Sequence, residues 1–140
     1  MRGIKVAEQW ERWEPIPGVA AKYYAESMCN TIEGVKILLF DDNDQKLVVT
    51  FANPVNAYRS VNESFRLNLI NTLDAQYGSD FYGKWTFFKV TNSAYVKQLS
   101  EKSGIINNEW PLQHFSFLTA DAIIDIINTC EPEIEFLTHE

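Results

Sequence analysis

Cysteine and histidine are scarce in this sequence, and their scarcity removes whole classes of chemistry. There are two cysteines, Cys29 and Cys130, set far apart. Such a pair builds neither a disulfide framework nor a zinc site, and both thiols are expected to be small buried hydrophobes in a reducing compartment. The histidines are His114 and His139, with no cluster of ligands around either, so no metal and no cofactor is expected. The six glycines are scattered. No G-x-x-x-x-G-K-[ST] and no G-x-G-x-x-G occurs, which excludes nucleotide binding by those two devices. No apolar run approaches the length of a membrane span. The opening stretch from Met1 to Arg12 is charged throughout, unlike a secretory leader, and a cytoplasmic protein is expected. Basic residues are also in deficit, with 12 Lys and Arg against 19 Asp and Glu, a formal net charge of −7. Nucleic acid is bound through cations that neutralise phosphates, so direct binding is disfavoured and a basic partner is favoured.

What is present is enough for one core. The chain has 140 residues, of which 46% are hydrophobic, with nine Phe, six Tyr and four Trp. That length and apolar content suit a single domain needing no staple.

The spacing of Val6, Trp10 and Trp13 predicts a short helix over Ile4 to Trp13, ended by Pro15, Pro17 and Gly18. Ala20 to Met28 reads as a strand, and Asn30 to Gly34 as a turn. Val35–Phe40 and Lys46–Phe51 are β-rich runs joined by Asp41-Asp42-Asn43-Asp44, which predicts a hairpin. Pro54 stops the second of them. A helix is expected from Asn62 to Gly78 on the stripe Phe65, Leu69, Leu73 and Tyr77. Trp85–Val90 reads as a strand, and Asn92 or Ser93 as the cap of a helix running to Gly104. A strand at Leu112–Leu118 follows, then a helix over Ala120 to Thr129 capped by Thr119, then a short strand at Ile134–Leu137. Together these predict a single α+β domain, a mainly antiparallel sheet with helices packed on it. Tyr23, Ile37, Leu39, Val49, Phe65, Leu69, Leu73, Phe87, Phe117, Ile123 and Ile127 are the expected core.

Three features bear on function. His114 sits among apolar neighbours and is read as a strand histidine satisfied by a hydrogen bond; its functional alternative is a general base or a switch residue. Arg59 and Glu63 stand four apart, the spacing of a helical surface pair worth only about 0.3–0.5 kcal/mol. The acids are uneven: from Asp121 onward the chain carries six acids and no Lys or Arg. A solvated face is the plain reading, and a patch that meets a basic partner is the functional one. Its candidate contacts are Asp41, Asp42, Asp44, Asp121, Asp125, Glu131, Glu133 and Glu135.

Phe51 followed by Tyr58-Arg59 and Asn62-Glu63, then His114-Phe115-Ser116-Phe117-Leu118-Thr119, then Ile123-Ile124-Asp125-Ile126-Ile127 and Pro132, resembles small bacterial immunity proteins of polymorphic-toxin and contact-dependent growth-inhibition systems. The resemblance runs from about Tyr23 to Leu137. It implies a cytosolic protein, not an enzyme, that neutralises one cognate toxin domain by covering its active or substrate-binding surface. Such toxins are often nucleases with basic faces. No binding residue carries over, because those surfaces differ between pairs. Two alternatives stand beside it: a small hydrolase or transferase using His114 with a nearby Cys or acid, and a self-assembling adaptor. Oligomeric state is left open.

Overall fold

The computed structural model describes residues 8–52, 54–103 and 111–137, and the side chains of all of these but Glu63, Phe65, Lys102 and Ser103. Among the described residues, nine strands and two α-helices follow one another as β1 (Gln9–Arg12), β2 (Tyr24–Thr31), β3 (Gly34–Phe40), β4 (Lys46–Ala52), β5 (Ala57–Asn62), a 3₁₀ turn (Glu63–Arg66), α1 (Leu67–Tyr77), β6 (Phe87–Thr91), α2 (Ala94–Ser103), β7 (Gln113–Leu118), β8 (Ala122–Asn128) and β9 (Glu133–Phe136). The strands form two sheets, one ordered β1-β6-β7-β8-β5 and the other β2-β3-β4-β9. Every pairing is antiparallel. The molecule is therefore an α+β domain dominated by sheet, as expected.

The β3–β4 hairpin sets the smaller sheet. Its register pairs Val35 with Phe51, Ile37 with Val49 and Leu39 with Leu47, and all six are fully buried. Alternation then turns Lys36, Leu38 and Phe40 outward. The buried six meet Phe87, Phe115, Phe117, Ile124 and Ile126 of the larger sheet in one apolar cluster. Phe51 packs edge-on to Phe115, with centroids 5.5 Å apart. Such aromatic pairs add to the energy of the buried area. The other face of the larger sheet is covered by α1: Leu73, Leu69, Ile70 and Tyr77 pack with Trp10, Phe88, Val90, Leu118 and Ile123. The order of layers is sheet, sheet, helix. No described helix is long and apolar enough to cross a membrane.

Two predicted helices are strands. Gln9–Arg12 is β1, on the edge of the larger sheet beside β6; Ile4 to Ala7 lie outside the described residues. Trp10 packs toward α1, whereas Trp13 packs into the inter-sheet core against Phe87 and Phe115. An odd spacing of three puts two side chains on opposite sides of a strand, and one helical stripe cannot do that. Ala122–Asn128 is β8, the neighbour of both β7 and β5. It is covered on both faces, so Ile123, Ile124, Ile126 and Ile127 are all buried. A run of β-branched residues buried on both sides is the expected composition of an inner strand.

Smaller corrections concern boundaries. β2 begins later than predicted, at Tyr24, and runs through Asn30. A strand, β5, precedes the predicted long helix. Asn62 does cap the helical segment, its side chain accepting from Ser64 N–H at 3.0 Å, but the first turn is 3₁₀. Gly78 ends α1 at φ +121°, its N–H donating to Asp74 O at 2.8 Å. Gly104, the expected stop of α2, is outside the described residues, as is the Phe65 side chain of the predicted core. Leu69 is half-buried, and the other nine predicted core residues are buried. Both cysteines are exposed rather than buried. Cys29 sits cross-strand from the exposed Lys36, on the outward side of β2, and Cys130 lies in the turn after β8.

Lys22 ties the layers together. Its ammonium donates to the carbonyl oxygens of Tyr82, Trp85 and Leu118, and sits 4.0 Å from the centroid of the Tyr82 ring. Three N–H donors thus meet three acceptors. Lys22→Met keeps the apolar stem and removes the donors, and is expected to cost about 1–3 kcal/mol. The check is the shift in urea midpoint at constant m-value.

Candidate functional site

The eight acids proposed from the sequence do not form one patch. Asp125 is fully buried inside the larger sheet and cannot touch a partner. Asp121 is exposed, but its Oδ1 accepts from Ala25 N–H at 2.9 Å and from the Thr119 hydroxyl at 3.1 Å, which pins the β7–β8 turn to the start of β2. Glu131 pairs with Lys89. Asp41 closes the hairpin, its Oδ1 accepting from Asn43 and Gln45 N–H, both at 2.9 Å. Asp42 and Asp44 are exposed at the same tip, and Glu133 and Glu135 are exposed on β9. Five of the eight, Asp41, Asp42, Asp44, Glu133 and Glu135, therefore belong to the β2-β3-β4-β9 sheet and its hairpin tip.

The outward face of that sheet has an apolar centre. Tyr24 stacks on Phe40 with centroids 5.2 Å apart and planes at 17°. Cross-strand register places Leu38 beside Val48, and Val48 opposite Glu135; the next row outward is Lys36, Thr50 and Glu133. Leu38, Phe40 and Val48 are half-buried by one another and Tyr24 is exposed. Among the described residues, no element packs on this face. Charge gathers on this sheet and its turns too: Glu26, Glu33, Asp41, Asp42, Asp44, Glu133 and Glu135 stand against Lys36 and Lys46, leaving −5 of the chain's −7.

A second constellation lies on the opposite side of the molecule, where α2 crosses the larger sheet. Strand pairing aligns His114 of β7, Asp125 of β8 and Arg59 of β5 on one face: Ser116 lies across from Asp125, and Asp125 across from Arg59. His114 Nε2 is 2.6 Å from Asp125 Oδ1. Asp125 Oδ2 accepts from Arg59 Nε at 2.8 Å and lies 3.4 Å from Arg66 Nη1. The Arg59 guanidinium stacks 4.1 Å from the Tyr95 ring centroid. From the residue just before α2, Ser93 Oγ reaches His114 Nδ1 at 2.7 Å. Burial alone would raise the Asp125 pKa, but the hydrogen bond and charge of His114, with Arg59 beside them, outweigh burial and hold it well below the usual carboxylate range. Burial raises the Tyr95 hydroxyl, partly countered by Arg59.

The sequence reading of His114 as a buried, satisfied strand histidine agrees with this geometry, and so does its proximity to an acid. Neither cysteine is its partner. Arg59 is on a strand rather than a helix, and its guanidinium goes to Asp125; the Glu63 side chain of the expected helical pair lies outside the description. Ser93 was legible as a helix cap but not as a histidine partner, since residues 21 apart in sequence meet here only through the fold. Among the described residues no group of His, Cys, Asp and Glu could hold a metal ion. Comparison with protein-family models, with curated proteins and with solved structures returns no match.

Proposed function

We infer that the protein binds a basic protein partner, a cognate toxin domain, through the outward face of the β2-β3-β4-β9 sheet, and neutralises it as an immunity protein does. One observation carries this reading: a stacked aromatic pair with Leu38 and Val48 forms an uncovered centre, and most of the chain's excess negative charge lies on the same sheet. Aromatic anchors with a charged rim are the usual anatomy of an interface. Carboxylates at the rim pair with the Lys and Arg that a nuclease uses to hold phosphates, so inhibitor and substrate compete. Charge mainly speeds the encounter, while Tyr24 and Phe40 set the lifetime.

The test is affinity capture from the native host, followed by co-expression with the toxin-like product of a neighbouring gene. Glu133→Lys with Glu135→Lys is expected to slow association by about tenfold at low salt and to have less effect at high salt. Tyr24→Ala with Phe40→Ala is expected to shorten the complex lifetime by at least about tenfold. Asp121 and Asp125 are unsuitable for such tests, because their carboxylates hold the fold together. Failure to capture a toxin, or binding indifferent to both double variants, refutes the reading. Capture of a second copy of the chain instead would support the self-assembling alternative.

A further inference from the structure

The hydrogen bonds around Ser93 have a direction. Ser93 stands between β6 and α2, just after Asn92, whose backbone is left-handed at φ +54°. Its Oγ accepts from Val96 N–H at 3.1 Å, which caps the helix. An ionised Asp125 can only accept, so the proton on His114 sits on Nε2. When the ring is neutral, the form in which it acts as a base, Nδ1 is a bare acceptor and the Ser93 hydroxyl is its donor. Serine, imidazole and carboxylate are thus joined at 2.7 Å and 2.6 Å in the order nucleophile, base, orienting acid. The ring nitrogens are exchanged relative to the serine-protease arrangement, but each plays the required role. A helix cap alone would end this chain against packed side chains. Here Ser93 and His114 instead line a cavity of about 350 Å³, together with Val90, Val96, Leu112 and Lys97.

The geometry points to Ser93 as a nucleophile toward small carboxylic esters with a short apolar acyl chain, with His114 as its base and Asp125 as a positioning residue. As Oγ bonds to the acyl carbon, the hydroxyl proton passes to His114 Nδ1. The bond from acyl carbon to the leaving oxygen breaks as the imidazolium returns that proton to the departing alcohol. Water then repeats the step, releasing the acid and restoring Ser93. Ester and water become acid and alcohol, with no oxidant or other co-reactant. Trapping of the Ser93 hydroxyl is the sharper readout. The site lies on the helix-covered side of the molecule, away from the sheet face assigned to partner binding, and the two readings fail independently.

The experiment treats the full chain with diisopropyl fluorophosphate and maps the adduct by peptide mass, alongside hydrolysis of p-nitrophenyl butyrate. The expected result is one adduct, on Ser93, and hydrolysis about a hundredfold above the uncatalysed rate. Ser93→Asn keeps a capping oxygen, and is expected to leave the melting transition in place while abolishing both signals; His114→Gln is expected to abolish hydrolysis. Absence of an adduct on Ser93 in the folded protein, an adduct elsewhere, or hydrolysis that survives Ser93→Asn overturns the proposal.

Discussion

Asp125→Ala is expected to destabilise the protein by about 3 kcal/mol or more, a large share of the roughly 5–15 kcal/mol that holds a domain folded. The carboxylate is fully buried. It accepts from His114 Nε2 and from Arg59 Nε, with Arg66 Nη1 against the same oxygen as Arg59. Removing it leaves an imidazole N–H without an acceptor and two guanidiniums without a counter-charge. Arg59 is over a third exposed and Arg66 about a fifth, so water recovers part of the loss. His114 cannot recover, because its side chain is 1% exposed. Asp125→Asn, which keeps the volume and one acceptor, should fall between. The same carboxylate makes stability depend on pH. Its pKa is lower in the folded protein than the value of 3.8 it has when unperturbed. The unfolded chain therefore binds the proton more readily, and the contribution is full above about pH 4–5 and fades as pH falls through the acid range. Urea midpoints between pH 3 and pH 7 should show this slope in the wild type and a shallower one in Asp125→Asn. An equal slope in both would assign acid sensitivity to other carboxylates.

Phe87→Ala is expected to cost about 3–5 kcal/mol, with little recovery by collapse. Phe87 is fully buried where the two sheets meet. Its ring lies edge-on to Trp13, Tyr23, Trp85 and Phe117, with centroids 5.6 to 6.4 Å apart. Phe117 is fixed in β7, while hydrogen bonds hold Trp13 to Phe87 O, Tyr23 N–H to the Thr86 hydroxyl and the Trp85 indole to Trp13 O, so these four large neighbours cannot all move into the vacated space. Ile32→Ala is the control. Ile32 is 87% exposed at the β2–β3 turn, and its loss is expected to stay within about 0.5 kcal/mol. Calorimetric melting of both variants reads the difference directly.

The parts of the fold with local signals can be read from the residues alone. The β3–β4 hairpin follows from alternating apolar residues around Asp41-Asp42-Asn43-Asp44, where Asp41 makes the turn with its own carboxylate. The end of α1 follows from Gly78, and the start of α2 from Ser93, because a positive φ and an unpaired first-turn amide each demand a particular residue. The α+β class follows from summing such elements. For Gln9–Arg12 and Ala122–Asn128, strand against helix is settled by packing between elements distant in sequence. Apolar residues at spacings of one, three and four satisfy a helical stripe as well as a strand buried on both faces; the choice came from the neighbours, β6 for one and β7 with β5 for the other. The candidate sites are likewise products of pairing. Asp125 looked like one more surface acid in an acidic tail, because nothing near it in sequence is a cation. Its partners Arg59 and His114 arrive on adjacent strands, and Ser93 reaches His114 from the turn before α2. In the same way, the hairpin-tip acids and Glu133 and Glu135 share a sheet only because β9 returns to lie beside β4. Turn and cap chemistry acts between near neighbours in the chain and can be read from it, whereas which charge is buried and which is presented depends on strand register between residues far apart in sequence.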